Sequence, residues 1–325
     1  MKALVVEALA PDFSRVALKD IAKPDPGPGE VRVRVEAASL NFPDLLMLKG
    51  EYQFKPDTPF VSGMDFAGTV DALGEGVTSL VTGARVAGGS KTGAFAEFTL
   101  AKADAVQTIP DSFAMPMAAA YPAAYTTAYV SLIERAGLKT GETLLVHGAS
   151  GGVGMATIDV GRLLGARVIA TTGSADKVAA LRAYGADDVI VLGADGFRET
   201  VKSLTKGRGA DVIFDPVGGD VFDESTRCIA FNGRLLVVGF AGGRIADLKT
   251  NIALIKGFSV LGVRAGEYGR QFPDKGRAVR DAIWRWAAEG KTRPAVFEEL
   301  PLDRWREAFE LMRDRRLVGK VVLRP

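Results

Sequence analysis

The segment Leu144-Leu145-Val146-His147-Gly148-Ala149-Ser150-Gly151-Gly152-Val153-Gly154 decides the fold. An apolar run predicts a strand over Thr143–His147, and a glycine loop follows it at once. The usual first glycine of G-x-G-x-x-G is Ala149 here, which leaves A-x-G-x-x-G. Gly151 lets backbone approach a pyrophosphate, and Gly154 lets a helix pack closely on the strand. The amides at the helix start then face negative charge. A helix over Gly152–Leu164 and a second strand over Arg167–Thr172 complete a strand–loop–helix–strand unit within about 30 residues, the context that gives the glycines meaning. Ala149, Ser150, Gly151, Gly152, Val153 and Gly154 are therefore the expected dinucleotide loop. A glycine turn in another α/β fold is the alternative.

Outward from this loop, strand and helix keep alternating. A helix is predicted over about Asp176–Tyr184, a strand over Asp188–Val191 and a helix over Gly196–Thr205. Strands follow at Val212–Asp215 and Arg234–Val238, with a helix near Phe222–Ala230 between them and a further strand at Phe258–Val263. Such alternation implies a parallel sheet with helices on both faces. Met115–Glu134 reads as one helix. Before it the chain is β-rich: Val31-Arg32-Val33-Arg34-Val35-Glu36-Ala37 alternates apolar and charged residues at period two. Further strands fit 68–72, 84–87 and 94–100, separated by glycine turns, as in a small antiparallel barrel or sandwich. After Val263 come helices at Ala278–Glu289 and Leu302–Arg313, then a last strand at Lys320–Leu323. The reading is a doubly wound domain, residues 122–263, inserted into a β-rich domain made of 1–121 and 264–325.

Composition excludes several functions. Lys and Arg exceed Asp and Glu by only two, with no long block of one sign, which disfavours a nucleic-acid binder. A single cysteine, Cys228, excludes an intramolecular disulfide and any multi-cysteine metal centre. A single histidine, His147, excludes a His-pair metal site, and its place at a strand end suits a structural role. No 18-residue apolar stretch predicts a membrane span, and the opening Met1–Glu7 reads as a strand rather than a secretory signal, so a cytoplasmic protein is expected.

The end of the second strand of the inserted domain selects the dinucleotide. An NAD site carries an acid there for the ribose 2′-hydroxyl. Ala170-Thr171-Thr172-Gly173-Ser174-Ala175-Asp176-Lys177 has none before Gly173. Thr172 and Ser174 offer hydroxyls and Lys177 a charge for a 2′-phosphate, which favours NADP. Ser174 as a helix cap, with Asp176 in the first turn and Lys177 solvated, is the competing reading.

With these residues placed, the chain resembles the medium-chain dehydrogenase/reductase superfamily, in particular its zinc-free branch of NADPH:quinone oxidoreductases related to zeta-crystallin. Leu40–Asp44, Pro59–Gly68, Gly93–Phe98, Ala123–Tyr129, the glycine loop, Asp215–Gly219 and Val238–Gly243 carry the resemblance. It implies a Rossmann doubly wound parallel sheet inserted into a GroES-like β-rich catalytic domain, with NADPH as cofactor. The implied reaction is two-electron reduction of a small-molecule quinone or of an activated alkene such as an enone. Zinc-dependent relatives have a cysteine where Asn41 stands and Gly-His-Glu where Gly63-Met64-Asp65 stands, so no metal site is expected. The resemblance further implies cofactor contacts at Gly239, Phe240 and Ala241, a nicotinamide-side contact at Thr127, and help from Arg315 in binding the 2′-phosphate. Asn41 and Tyr52 are the candidate donors to a substrate carbonyl; Asn41 as a loop crosslink and Tyr52 as a surface residue are the bland alternatives. Asp44 is expected to cap a helix starting near Leu45, with a hydrogen bond to Asn41 as the alternative. Relatives often carry a tyrosine after the third Rossmann strand, which Val191-Leu192-Gly193 lacks. A homodimer is expected, with Phe258–Val263 as the pairing edge. An enoyl-thioester or haloacrylate reductase, and a non-catalytic NADPH-binding protein like the lens crystallins, are the competing functions.

Overall fold

The computed structural model describes every residue except Asp195 and forms two compact units. The first joins Met1–Ala123 to Pro294–Pro325; the second is Ala124–Arg293. The expected second boundary therefore shifts, and residues 264–293 belong with the dinucleotide-type unit. Their side chains explain why. Tyr268 donates to the Glu134 carboxylate, Trp286 stacks 5.3 Å from Tyr129, and the Arg293 amide donates to Asp159 at 2.9 Å.

The second unit is built on six parallel strands. In sheet order they are Asp188–Val191, Arg167–Thr172, Thr143–Val146, Ala210–Asp215, Ile229–Val237 and Ser259–Gly262. Numbered along the chain this is 3-2-1-4-5-6, the doubly wound order whose crevice opens between the first and fourth strands at their C-terminal ends. Leu145, Ile169, Ile213, Leu235, Phe197 and Phe222 fill its core. The predicted helix Met115–Glu134 is interrupted. Pro122 has no amide to donate, so Met115–Ala120 ends and Pro122–Tyr129 begins afresh. A π-helical turn, Val130–Arg135, closes it through Ala136 N–H to Ser131 O at 2.9 Å.

In the first unit, the strand Glu30–Ser39 is the organising element. Val31, Val33 and Val35 are buried while Arg34 is exposed, as the period-two pattern requires. Asp65–Leu73 pairs antiparallel on one side, with Ser39 opposite Asp65. Lys320–Arg324 pairs antiparallel on the other, with Ser39 opposite Val322, and the next amide, Leu40 N–H, reaches Val321 O at 3.0 Å. The sheet holds seven strands, and a separate three-stranded sheet carries Lys2–Val6 at its centre, a more divided arrangement than a single barrel. Phe13, Phe95, Trp305 and Phe309 pack as an aromatic core with centroids 5.7–6.1 Å apart. Burying each such ring contributes roughly 1.5–3 kcal/mol. These pairings bring Asn41, just past the central strand, between a residue from position 65 and one from position 320.

Candidate active site

That register creates a buried polar cluster. Asn41, Asp44, Asp65 and Lys320 are all at most 7% exposed. Lys320 Nζ donates to Asn41 Oδ1 at 2.5 Å and lies 3.8 Å from Asp65 Oδ2, an ion pair rather than a second hydrogen bond. The Asn41 amide nitrogen donates to Asp65 Oδ2 at 3.0 Å and to Ser39 O at 3.3 Å. Asp65 Oδ2 also accepts from the Ala123 amide, in the first turn of the helix Pro122–Tyr129, at 3.4 Å. Asp44 accepts the Asn41 backbone N–H at 2.8 Å from the third position of the helix Phe42–Lys49; the helix starts three residues earlier than expected, so Asn41 and not Asp44 is its N-cap, and Asp44 is fully buried with its Oδ1 unpartnered.

The electrostatics follow from burial. Burial pushes the Asp44 carboxyl up to about 8, and the neighbouring Asp65 charge adds to the rise, so Asp44 is mostly protonated at neutral pH. Burial also raises Asp65, opposed chiefly by Lys320, and lowers Lys320, opposed by Asp65 and then Asp44. One ammonium thus serves two carboxyl groups, one of which holds a proton.

Asn41 is therefore found as a crosslink, with both amide hydrogens engaged, rather than with a free donor. Tyr52 is half-buried just beyond Gly50, whose φ of 70° ends the preceding helix, and its phenol makes no hydrogen bond among the described residues. Arg315 is exposed and left-handed (φ 57°) where the helix Trp305–Arg313 ends. Lys320 is the member of the buried cluster that the sequence does not point to. Nothing local distinguishes it; only a contact spanning 279 positions does.

In the second unit the glycine loop takes its expected place. Gly151 precedes the helix Gly152–Leu163 with no side chain capping the helix, leaving its first amides available to an anion. A Cβ at Gly154 would lie 2.4 Å from Gly148 O, so only glycine allows this helix to approach the strand. The Pro216 carbonyl receives the Ala241 amide at 3.0 Å, and a Cβ on Gly148 would meet the Pro216 ring at 3.2 Å. Ala149–Gly154 and Gly239–Ala241 thus flank one turn, at the C-terminal ends of the first, fourth and fifth strands. Thr172, Ser174 and Lys177 share one turn after the second strand, but the Ser174 hydroxyl donates to the Asp176 carboxylate. Lys177 is buried rather than solvated, and burial lowers its affinity for a proton. Thr127 lies half-buried on the helix Pro122–Tyr129. His147 is held between Thr171 Oγ1 and Ser225 Oγ, each at 2.9 Å, and burial drives it down to about 3, a neutral structural group.

The alcohol dehydrogenase GroES-like domain model matches residues 27–111, and the zinc-binding dehydrogenase model matches 152–280. A quinone oxidoreductase-like protein 2 homolog from Nematostella vectensis is 37% identical over 91% of this chain and 82% of its own length. The chain belongs to the medium-chain dehydrogenase/reductase family, in its quinone oxidoreductase branch. Like other members of that family it is an oxidoreductase with a Rossmann-type NAD(P)-binding unit. A mycobacterial protein complexed with NADPH has a TM-score of 0.93 at 30% identity over 100% of both chains. A Pseudomonas syringae quinone oxidoreductase has a TM-score of 0.91 at 29% identity over 100% of this chain and 99% of that one.

The zinc named in that domain model does not fit this member of the family. Asn41 and Met64 are not zinc donors of the usual kind, and the ammonium of Lys320 already lies against Asp65. Among the described residues no three His, Cys, Asp or Glu side chains converge to hold a metal. No helix among them is long and apolar enough to cross a membrane.

The buried acid has a measurable consequence. Asp44 is raised from the ordinary 3.8 to about 8 in the folded chain, so the native state binds its proton more tightly than the unfolded chain does. The stabilisation this gives is complete below about 3.8 and is lost as pH rises through about 8. Urea denaturation between pH 5 and pH 8 is expected to show falling stability for the parent and a flatter profile for Asp44→Asn. An unchanged slope in the variant would remove Asp44 as its source.

Proposed function

We propose that this NADPH-dependent oxidoreductase reduces a quinone or an enone by hydride transfer without a metal. The observation that carries the reading is the buried ammonium of Lys320 against Asp65 and Asn41, where zinc-dependent relatives place soft ligands. When bound, NADPH supplies the hydride. Ala149–Gly154 hold its pyrophosphate against the uncapped helix start. Thr172, Ser174 and Lys177 face the 2′-phosphate, and Ser174 turns from Asp176 to do so.

The substrate acquires negative charge on oxygen as hydride arrives. Tyr52, with its phenol unpartnered, is the donor to that oxygen, and Asn41 shapes the wall beside it. A preorganised donor stabilises the charge more in the transition state than in the ground state. A quinone delocalises its charge and takes its proton from water, so Tyr52 is not an obligatory acid.

NADPH oxidation followed against a quinone, an enone and an enoyl thioester tests the reading. Turnover with the first two is expected. Tyr52→Phe is expected to lower kcat by about tenfold or less, below the range for a full oxyanion-hole donor, with NADPH affinity nearly unchanged. Lys177→Ala is expected to raise KM for NADPH more than for NADH. Flat activity with tight NADPH binding would instead favour a non-catalytic binding protein.

The chain is further proposed to form a homodimer through Ser259–Gly262, the edge strand of the six-stranded sheet. Phe231, Leu254 and Ile255, each at least 76% exposed, leave apolar surface near that edge. Light scattering at micromolar concentration is expected to give twice the chain mass; the mass of one chain would contradict the dimer.

A further inference from the structure

We propose that Lys320 is a positioning residue, whose ammonium is a tethered cation that fixes the amide of Asn41 and, through Asp65, the first turn of the helix Pro122–Tyr129. The inference rests on the reading of Asn41 as part of the substrate wall.

A buried carboxamide between two acceptors and a donor has one good orientation. Lys320 donates to Oδ1, so the amide nitrogen must turn to Asp65 Oδ2 and Ser39 O. Without the ammonium, Oδ1 loses its partner and only the two acceptors of the amide nitrogen still orient the group; an amide at position 65 can present either oxygen or nitrogen, so in a variant that lacks both charges Ser39 O alone selects the orientation. Asp65 in turn needs the ammonium as a buried counter-charge, and it is Asp65 that receives the Ala123 amide. A pair kept for stability alone gains little from its charges, because apolar or neutral replacements of buried ion pairs are often as stable. What the charges add here is direction. Lys320 reaches the cluster from the start of the last strand, where it pairs with Val296 and its amide donates to Ala295 O at 2.9 Å, so its main chain is held by the sheet.

The test compares Asp65→Asn with the double variant Asp65→Asn/Lys320→Met. Asp65→Asn keeps the ammonium on Asn41 Oδ1 and removes the Asp65 charge that helps keep Asp44 protonated, so Asp44 is the acid left to ionise beside the ammonium. The double variant is uncharged at both positions and close to isosteric, so it folds without a stranded charge. In crystal structures of both, Asn41 is expected to keep its orientation in the single variant and to flip or take two orientations in the double. On a quinone, kcat is expected to fall about tenfold further in the double than in the single variant, with NADPH affinity changed by less than about twofold, as for a group misplaced by less than an ångström. The same Asn41 orientation and the same kcat in both variants would overturn the inference. If the parent reduces neither quinone nor enone, the proposed function fails, and the Asn41 orientation still decides the role of Lys320.

Discussion

A single ammonium, buried between an amide oxygen and a carboxylate, ties together three segments of the first unit. Transferring Lys320, Asp65 and Asp44 out of water is costly for each group alone. The cluster tolerates the cost in three ways. Lys320 and Asp65 neutralise each other, Asp44 holds a proton, and Asn41 links all three through its side-chain amide and its backbone N–H, while Asp44 Oδ1 stays without a partner. Each member depends on the others, so the loop after Glu30–Ser39, the strand start at Asp65 and the final strand must arrive together. The antiparallel register of those strands, with Ser39 opposite both Asp65 and Val322, delivers them.

The dinucleotide-type unit meets a different constraint, one of close approach. Gly154 brings the helix Gly152–Leu163 within reach of Gly148 and Ala149, and the absence of a side-chain cap leaves its first amides available. Substituting Ala149 for the usual first glycine costs nothing visible in this arrangement: its side chain is fully buried, and its amide reaches Thr171 O at 3.3 Å.

The glycine loop and the strand–helix alternation were legible because both are local. Glycine spacing reports steric contact with backbone, and apolar periodicity reports which face is covered. Lys320 was not legible, since its meaning comes from a partner 279 positions away. Asn41 was recognised as a site residue, but its hydrogens proved to be engaged by Asp65 and Ser39 O, and Asp65 is an acid whose burial no local pattern announces. The break at Pro122 was written in the sequence and was outweighed by the helix-forming residues around it. The helices between 264 and 293 carry amphipathic faces that do not name the unit they pack on; Tyr268, Trp286 and Arg293 settle it through Glu134, Tyr129 and Asp159.

The cation of the buried cluster is the ammonium of Lys320, and the proposed reaction proceeds without zinc. Metal analysis of the purified protein, with NADPH oxidation measured before and after chelation, tests it most directly. No stoichiometric zinc and unchanged activity are expected. About one zinc per chain, together with activity lost on chelation and restored by zinc, would show that a metal takes part after all.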